Sequence, residues 1–577
     1  MNLNTIRTNA LTGGLLVLIV GGTVLGIHVG AGIAGTGDAY SWNPIKLAMG
    51  FVRGDAWPGT AATVAVVAFI VAALALFTWF LMAQAKHGAK KRSGASIKLM
   101  SANPSNAILR QAARAKEARR LHPKAESIGP GQKVARIVGT AKWVYQGWEE
   151  TGVYLFGTRR GKTSGVVVRH VVEAPGAAIM TSNKVDGVRE VIRGRRGRGQ
   201  TYVFDPNRIY RHEDGPDFVF NPLDYVKSAE DARELAEIFE ASTRKEGDRG
   251  GDPQFDEPGR DMLAYFLLAA ALDELPLSRV YRWLTTQDAD VVIGILNANG
   301  KKGPATALVG MENWADKTRQ SVYATAQRMA GALAYDELLE WTSAEGVRRF
   351  DVDAFVQSED LLILLSKDGV GSAGAILTSL VRAICKTGER LAQRSGGRLP
   401  VPLVIELDEC ANIVRWPALP SVYSFYGSLG MPINTYFQSK DQAVEAFGQN
   451  GWGAIWGAAV TRVFGGGAMD DQFLKGLSNL IGEREETTYG GSTQDSGAYS
   501  TSTSTRRVPI LNVDDLANLP LWRTVMFNSN TRPVILDSVP WFKDKKLKAL
   551  IEGDGPATAG AAPVAIATSS EEATARG

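Results

Sequence analysis

The chain has 577 residues, too many for one ordinary hydrophobic core, and 45% of them are apolar, ample for burial once domains are separated. A formal net charge of +4 is modest, so charged partners have to be read from local patches rather than from the total. The only cysteines, Cys385 and Cys410, have no partner at zinc or iron spacing, which argues against such a centre and for a reducing compartment around the main body.

Two apolar stretches dominate the first 85 residues. Residues 11–35 and 60–83 are each long enough to cross a bilayer as a helix. A cleaved signal peptide fits the first poorly, since its basic region is only Arg7 and a second span follows closely. Lys86, Lys90, Lys91 and Arg92 come just after the second span and place that end in the cytoplasm. Residues 1–85 therefore predict a transmembrane hairpin with a short outer loop over 36–58, bounded by Trp42 and Trp57. His28 lies within a span and reads better as interfacial or packed against a neighbouring helix than as a proton relay. Residues 86–150 form a basic, alanine-rich cytoplasmic linker leading into the next domain. Its segment ILRQAARAKEARRLHPKAE predicts a helix carrying Arg110, Arg114, Arg119 and Arg120, suited to lipid headgroups, to a nucleic-acid backbone, or equally to a solvated face.

The run YLFGTRRGKTSGVVV at 154–168 then breaks from a short apolar strand into a glycine-containing loop that opens a helix. Loop N–H groups can converge there on phosphate oxygens. The candidate nucleotide-binding set is Gly157, Thr158, Arg159, Arg160, Gly161, Lys162, Thr163 and Ser164, with Lys162 as a point charge and the Thr163 hydroxyl for Mg²⁺. The full phosphate-loop pattern has glycine where Phe156 stands, which is tolerable if position 156 needs no positive φ. The bland reading of this segment alone is a strand-to-helix turn with an incidental lysine.

AAIMTSNK (177–184) and QTYVFDPN (200–207) predict the next strands. Between them Arg193, Arg195, Arg196 and Arg198 form a basic cluster that could meet DNA phosphates or be an exposed charged turn. Residues 228–345 show helical apolar spacing and no convincing strand, which predicts an all-helical insertion in the nucleotide-binding domain. The sheet resumes with EDLLILLS (359–366), a helix through 371–393, and VPLVIELDECANI (401–413).

In that last segment Asp408 and Glu409 emerge at the carboxyl end of a buried strand, the edge at which open α/β sheets bind ligands. Asp408 is the candidate for the Mg²⁺ shell and Glu409 for polarising an attacking water. Glu406, buried in the same strand, has to be paired or protonated and should face a basic group. PINTYFQSK (432–440) is another strand, ending in Gln438, a candidate reporter of the γ-phosphate. AAVTRVFGG follows with Arg462, either an arginine finger for a neighbouring subunit's nucleotide or an ordinary ion-pairing residue. Residues 487–506 read as an exposed loop or irregular strands, and 546–577 as a disordered Ala/Gly/Pro/Glu-rich tail.

The ordered series of two spans, FGTRRGKTSG, TSNKVD, FDPN, FNPLD at 220–224, the helical insertion, LDECANI, YFQSKDQ, TRVFGG and TRPVILDSVPWF resembles the conjugative coupling proteins of type IV secretion systems. These are the TraG/TraD/VirD-type family, membrane-anchored relatives of FtsK-like translocases; the similarity spans roughly residues 10–545. The resemblance implies an α/β fold: a RecA-like P-loop NTPase motor over 151–227 and 346–545, an all-helical insertion over 228–345, and the amino-terminal hairpin. It implies ATP and Mg²⁺ as cofactors, with Lys162 and Thr163 on phosphates and metal, Asp408 and Glu409 completing a hydrolytic site, and Gln438 coupling it to a homohexameric ring. Phe156 departs from the family's usual glycine. The implied partners are a relaxase with its single-stranded DNA, secretion-channel components and lipids of the bacterial plasma membrane. An FtsK-like double-strand pump, a coupling ATPase for protein effectors only, and a non-hydrolytic membrane scaffold are the alternatives.

Overall fold

A computed structural model describes residues 19–36, 39–73, 75, 96, 99–101, 103–123, 128–210, 215–243, 253–367, 373–467, 470–493 and 499–553. The chain divides into two compact units, residues 1–99 with 478–512 and residues 100–477 with 513–577.

In the smaller unit, residues 19–33 and 60–73 are helical. They pack closely because the facing positions carry no side chain: a Cβ on Gly26 would lie 2.7 Å from the Val66 nitrogen, and one on Gly30 would run into Ala62. Between them Pro44–Val52 forms a further helix, capped by the Asn43 side chain, which accepts from the N–H groups of Ile45 and Lys46. His28 stacks on Trp42, ring centroids 3.8 Å apart. Among the described residues no helix is long and apolar enough to cross a membrane; parts of both expected spans, 11–18, 74 and 76–83, lie outside those residues. The stretch expected to be a loop or irregular strands, 487–506, belongs to a regular two-stranded antiparallel ribbon, Glu483–Thr493 against Tyr499–Pro509, paired from Glu483↔Pro509 to Thr493↔Tyr499. Its Ser/Thr-rich sequence lacks apolar periodicity but has the β-branched content that an extended pair tolerates.

The larger unit is built on one eleven-stranded sheet. Its strands are β1 (Gln132–Ile137), β2 (Trp143–Gln146), β3 (Gly152–Leu155), β4 (Ala178–Ser182), β5 (Thr201–Phe204), β6 (Leu361–Leu365), β7 (Val404–Leu407), β8 (Ile433–Phe437) and β9 (Thr461–Phe464). Beyond the ribbon strands β10 and β11 come β12 (Arg523–Asn528) and β13 (Val534–Asp537). The order is β2-β1-β13-β12-β9-β3-β8-β7-β4-β6-β5. From β9 to β5 every neighbour is parallel, and from β9 outward to β2 every pairing is antiparallel. The parallel strands read as continuous apolar runs, Leu361–Leu365 most plainly, because helices cover both faces of such a sheet.

Two expectations are corrected here. The stretch read as a linker, 86–150, supplies the edge strand β2 and its neighbour β1, whose mixed polar and apolar residues suit an antiparallel border with one wetter face. The expected tail opens instead with the helix Lys545–Glu552: Asp544 caps it by accepting from the N–H groups of Lys546 and Leu547, and Leu547 and Ile551, four residues apart, are buried. Residues 554–577 lie outside the described residues. From 229 to 343 the described elements are helices only, the longest being Pro253–Leu272.

Candidate functional site

Strand β3 ends at Leu155, and the next residues turn over the carboxyl edge of the parallel sheet. Phe156 has no positive φ and is buried, its N–H donating to the Phe437 carbonyl at 3.0 Å. Its ring fills the space beside Gly465, where any Cβ would collide with it. The missing glycine is thus accommodated by a side chain turned into the core and by a glycine on the neighbouring strand's exit.

The loop is held from outside. Gly157 donates to the Gly466 carbonyl at 2.9 Å, and the Arg160 guanidinium donates to the carbonyls of Gly465 (3.1 Å) and Leu519. Arg159 and Gly161 both lie in the left-handed region, φ 58° and 81°. Only at Gly161 is this cost-free, and there a side chain would also strike the Trp522 indole. A helix starts at Lys162, with a π-helical turn over Thr163–Val167 continued by Val168–Val172; such turns recur at functional sites. Ser164 is half-buried in that first turn, whose N–H groups have no intrahelical partner.

Across the edge, β7 delivers the acidic pair. The Lys162 ammonium lies 3.1 Å from Asp408 Oδ1 and forms an ion pair with Glu409 Oε1, while the Thr163 hydroxyl donates to Asp408 Oδ2 at 2.8 Å. Asp408 is anchored through its own carbonyl by the Thr181 hydroxyl at 2.6 Å. Burial disfavours charge on Lys162, but Asp408 and Glu409 outweigh it and hold the ammonium above its ordinary range. Burial pushes the Asp408 carboxyl up; Lys162 pulls it back, and Glu409 adds to the rise.

Gln438, just beyond β8, donates to both Glu409 oxygens, at 3.2 and 3.0 Å, and accepts from the Thr158 hydroxyl at 3.2 Å. Seven of the expected residues, Thr158, Gly161, Lys162, Thr163, Asp408, Glu409 and Gln438, therefore meet at one place. Arg462 does not join them: its guanidinium donates to the carbonyls of Trp456 (2.5 Å) and Gly457 (2.9 Å) and covers the Trp456 ring, closing the end of the helix Lys440–Ala458.

Sequence reasoning missed several contributors. Glu409 itself is left-handed, φ 54°, a strained backbone at the position whose side chain pairs with Lys162. Gln442 accepts from the Gln438 N–H (2.9 Å) and donates to Asn412 (3.3 Å), whose amide reaches Glu409 Oε2 at 3.5 Å, so the two strand exits are tied together. The partner anticipated for Glu406 is His170, on the helix that Lys162 opens, at 3.2 Å. Of the arginine cluster proposed to touch DNA, Arg195 is 2% exposed and donates to the carbonyls of Val171, Ala174, Gly176 and Glu359, and Arg198 bonds Val172, Ala174 and Glu359. These two fasten the end of the phosphate-loop helix. No spacing rule distinguishes such an arginine from a solvated one.

Residues 402–521 match the family described as the TraM recognition site of TraD and TraG. No curated protein matches the chain. The fold is shared with the bacterial conjugative coupling protein TrwBdeltaN70 in an unbound form, at 14% identity and a TM-score of 0.51, covering 76% of this chain and 93% of that one. The plasmid coupling protein TrwB in complex with ADP and Mg²⁺ matches at 14% identity and 0.51, covering 73% and 92%, and TrwB with a non-hydrolysable ATP analogue at 14% and 0.50 with the same coverage.

The architecture is thus a mixed α/β fold with one large sheet, of the kind found in the coupling protein TrwB. Together with the family match, it bears out the resemblance to the conjugative coupling proteins of the TraG/TraD family.

Proposed function

We propose that this chain is a membrane-anchored ATPase that recruits relaxase-bound single-stranded DNA and drives it through a type IV secretion channel during conjugation. The observation that carries the reading is the convergence of Lys162, Thr163, Asp408, Glu409 and Gln438 at the carboxyl edge of a parallel sheet. The donor set fits a magnesium nucleotide: a lysine and free N–H groups of a helix start for phosphates, a hydroxyl and a carboxylate already 2.8 Å apart for the metal. When bound, ATP supplies the phosphoryl-transfer free energy.

The protein's own groups then divide the work. Lys162 leaves its carboxylates for the phosphate, which releases Glu409 to orient a water and take its proton. Gln438, bonded to both Glu409 and Thr158, senses that release, and its neighbours Gln442 and Asn412 pass it along the sheet edge to a ring of identical subunits. Arg462 could meet a neighbour's nucleotide only by giving up its two helix-end carbonyls.

Membrane anchoring through 11–35 and 60–83 is supported by the apolar exposure of the described hairpin, where Ile33 is 73% and Val64 69% exposed, the state of a lipid-facing side chain. The family match adds a TraM-like accessory protein to the expected partners.

The deciding experiment is ATP hydrolysis by the detergent-purified chain with and without single- and double-stranded DNA, using Lys162→Ala as blank. Lys162-dependent turnover stimulated by single strands supports the reading; preference for duplex favours a double-strand pump, and no Lys162-dependent turnover removes the motor altogether.

A further inference from the structure

Beside the phosphate loop, on the side away from Asp408 and Glu409, stands a set of aromatic side chains that the hydrolytic reading does not use. Trp522 precedes β12 and holds φ at 69°, an unfavourable backbone for a bulky residue. That backbone is pinned by its carbonyl, which accepts from the Ser538 N–H at 2.7 Å. The result lays the indole against the loop: Gly161 has no room for a Cβ because of it, and a Cβ on Gly165 would lie 3.4 Å from Trp522 Cζ3.

Phe542 meets Trp522 nearly at a right angle, centroids 6.3 Å apart and planes at 82°, and Trp541 supports Phe542 in the same edge-on manner at 5.7 Å. Trp541 packs on the core, so the corner has a firm back. Its front is open: Phe542 is 43% and Leu521 53% exposed, and Trp522 only half-buried.

An exposed aromatic corner keeps apolar surface in water, a cost that a merely structural contact would avoid by closing over it. A nucleotide's base is tethered to its phosphates by one ribose, so a nucleotide held by Lys162 and the loop places its base within a ribose's reach of that loop, of which Gly161 and Gly165 are part. The aromatic corner adjoins both.

We infer that Trp522 and Phe542 form the base-binding platform, with the purine stacking in the corner they make. This rests on the nucleotide reading of the Lys162 loop and adds the group that recognises the base. Stacking is tolerant of base identity because every base has a π-face, so the corner confers affinity rather than a strict choice of base.

Equilibrium binding to the detergent-purified full chain tests it, with two probes: ATP and inorganic tripolyphosphate, which has the phosphates and no base. Trp522→Ala should weaken ATP about ten- to a hundredfold and leave tripolyphosphate within about twofold, while Trp522→Phe keeps most of the ATP affinity. Phe542→Ala, which leaves the indole on Gly161, should weaken ATP by a smaller factor and again spare tripolyphosphate.

Equal loss of both probes in Trp522→Ala would mean that the indole only shapes the loop and would overturn the inference, as would unchanged ATP binding in both alanine variants. If the unmodified chain binds neither probe in a Lys162-dependent way, the nucleotide reading itself fails and the platform with it. Retained tripolyphosphate binding shows that the substituted chain is folded at the loop.

Discussion

Strand β7 and its exit carry three carboxylates within four residues, Glu406, Asp408 and Glu409, and they meet opposite fates. Glu406 is 0% exposed and saturated: Oε1 accepts from Gln132 (2.9 Å) and Asn434 (2.7 Å) and faces His170 Nδ1 at 3.2 Å, and Oε2 accepts from the Tyr436 hydroxyl at 2.5 Å. The donors themselves are fixed. Gln132 accepts from Asn434, Gln146 donates to Asn434 and accepts from Tyr154, and His170 Nε2 faces the Lys133 carbonyl at 3.0 Å. Burial and the nearby carboxylate push the Tyr154 and Tyr436 phenols well up, so both stay donors.

Asp408 and Glu409, two and three residues on, are nearly as buried but rely mainly on Lys162, Thr163 and Gln438, side chains a ligand could draw away. A carboxylate whose donors are locked into neighbouring strands is structural. One whose donors belong to a loop and a strand exit is available for chemistry.

The sharpest way to break this contrast is to remove a group at the open end. Lys162→Ala should abolish nucleotide binding, and Glu409→Gln should retain binding while lowering turnover about a hundred- to a thousandfold. Glu409→Gln should shift the unfolding transition little, since Lys162 keeps Asp408, whereas Lys162→Ala leaves two buried carboxylates without their cation and should lower it. Steady-state turnover beside a thermal melt reads both quantities; a Glu409→Gln chain that hydrolyses normally would sink the assigned role.

The closed network should respond in the opposite sense. Glu406→Ala leaves His170, Asn434, Gln132 and Tyr436 with unmet polar groups in the core, and should cost about 3–5 kcal/mol of stability. Glu406→Gln preserves shape but turns one acceptor into a donor facing donors, and should cost about 1–3 kcal/mol. Chemical denaturation of the purified chain distinguishes these values. Loss of turnover without loss of stability would mean that Glu406 belongs to the reacting group after all.

Between the two extremes stands Gln438, bonded to Glu409 but seated just past β8, the strand that carries Asn434 and Tyr436 of the network. Gln438→Ala should leave ATP affinity in place and remove about five- to tenfold of any DNA-stimulated rate, the size of a typical coupling between sites. Stimulation that survives intact would place the sensor elsewhere, with Gln442 and Asn412 next to be replaced.

The sequence made the open end legible and hid the closed one for a physical reason. The proposed phosphate and metal roles call for particular residue types at short spacing, so Gly161-Lys162-Thr163 and Asp408-Glu409 stand out as candidates, and the parallel strands show as apolar runs. The Glu406 network joins Gln132, Gln146, Tyr154, His170 and Asn434 across hundreds of residues, and only its central anomaly, an acid in a buried strand, was visible. Strands β1 and β2 were concealed in the same way: their amphipathic character is set by a border position in the sheet that local pattern does not reveal. Trp522 had no signal at all, because its meaning comes from the glycine it covers.

The smallest expected effect lies away from both clusters. His122 closes the helix Gln111–Leu121, its Nδ1 3.1 Å from the Leu399 carbonyl, with Cε1 3.2 Å from where a Cβ on Gly430 would stand and Nε2 buried without a partner. Burial, seconded by the Arg398 charge, lowers its pKa from the ordinary 6.5, against the pull of the Leu399 and Pro400 carbonyls. The unfolded chain therefore binds the proton more readily than the folded one. Stability from this site is complete above pH 6.5 and falls away as pH drops through 6.5 toward the folded value. His122→Asn can keep a donor on Leu399 without a titrating ring. Its melting temperature should fall less steeply than that of the unmodified chain between pH 7 and about 5. Parallel slopes would mean that protonated His122 finds an acceptor in the folded state.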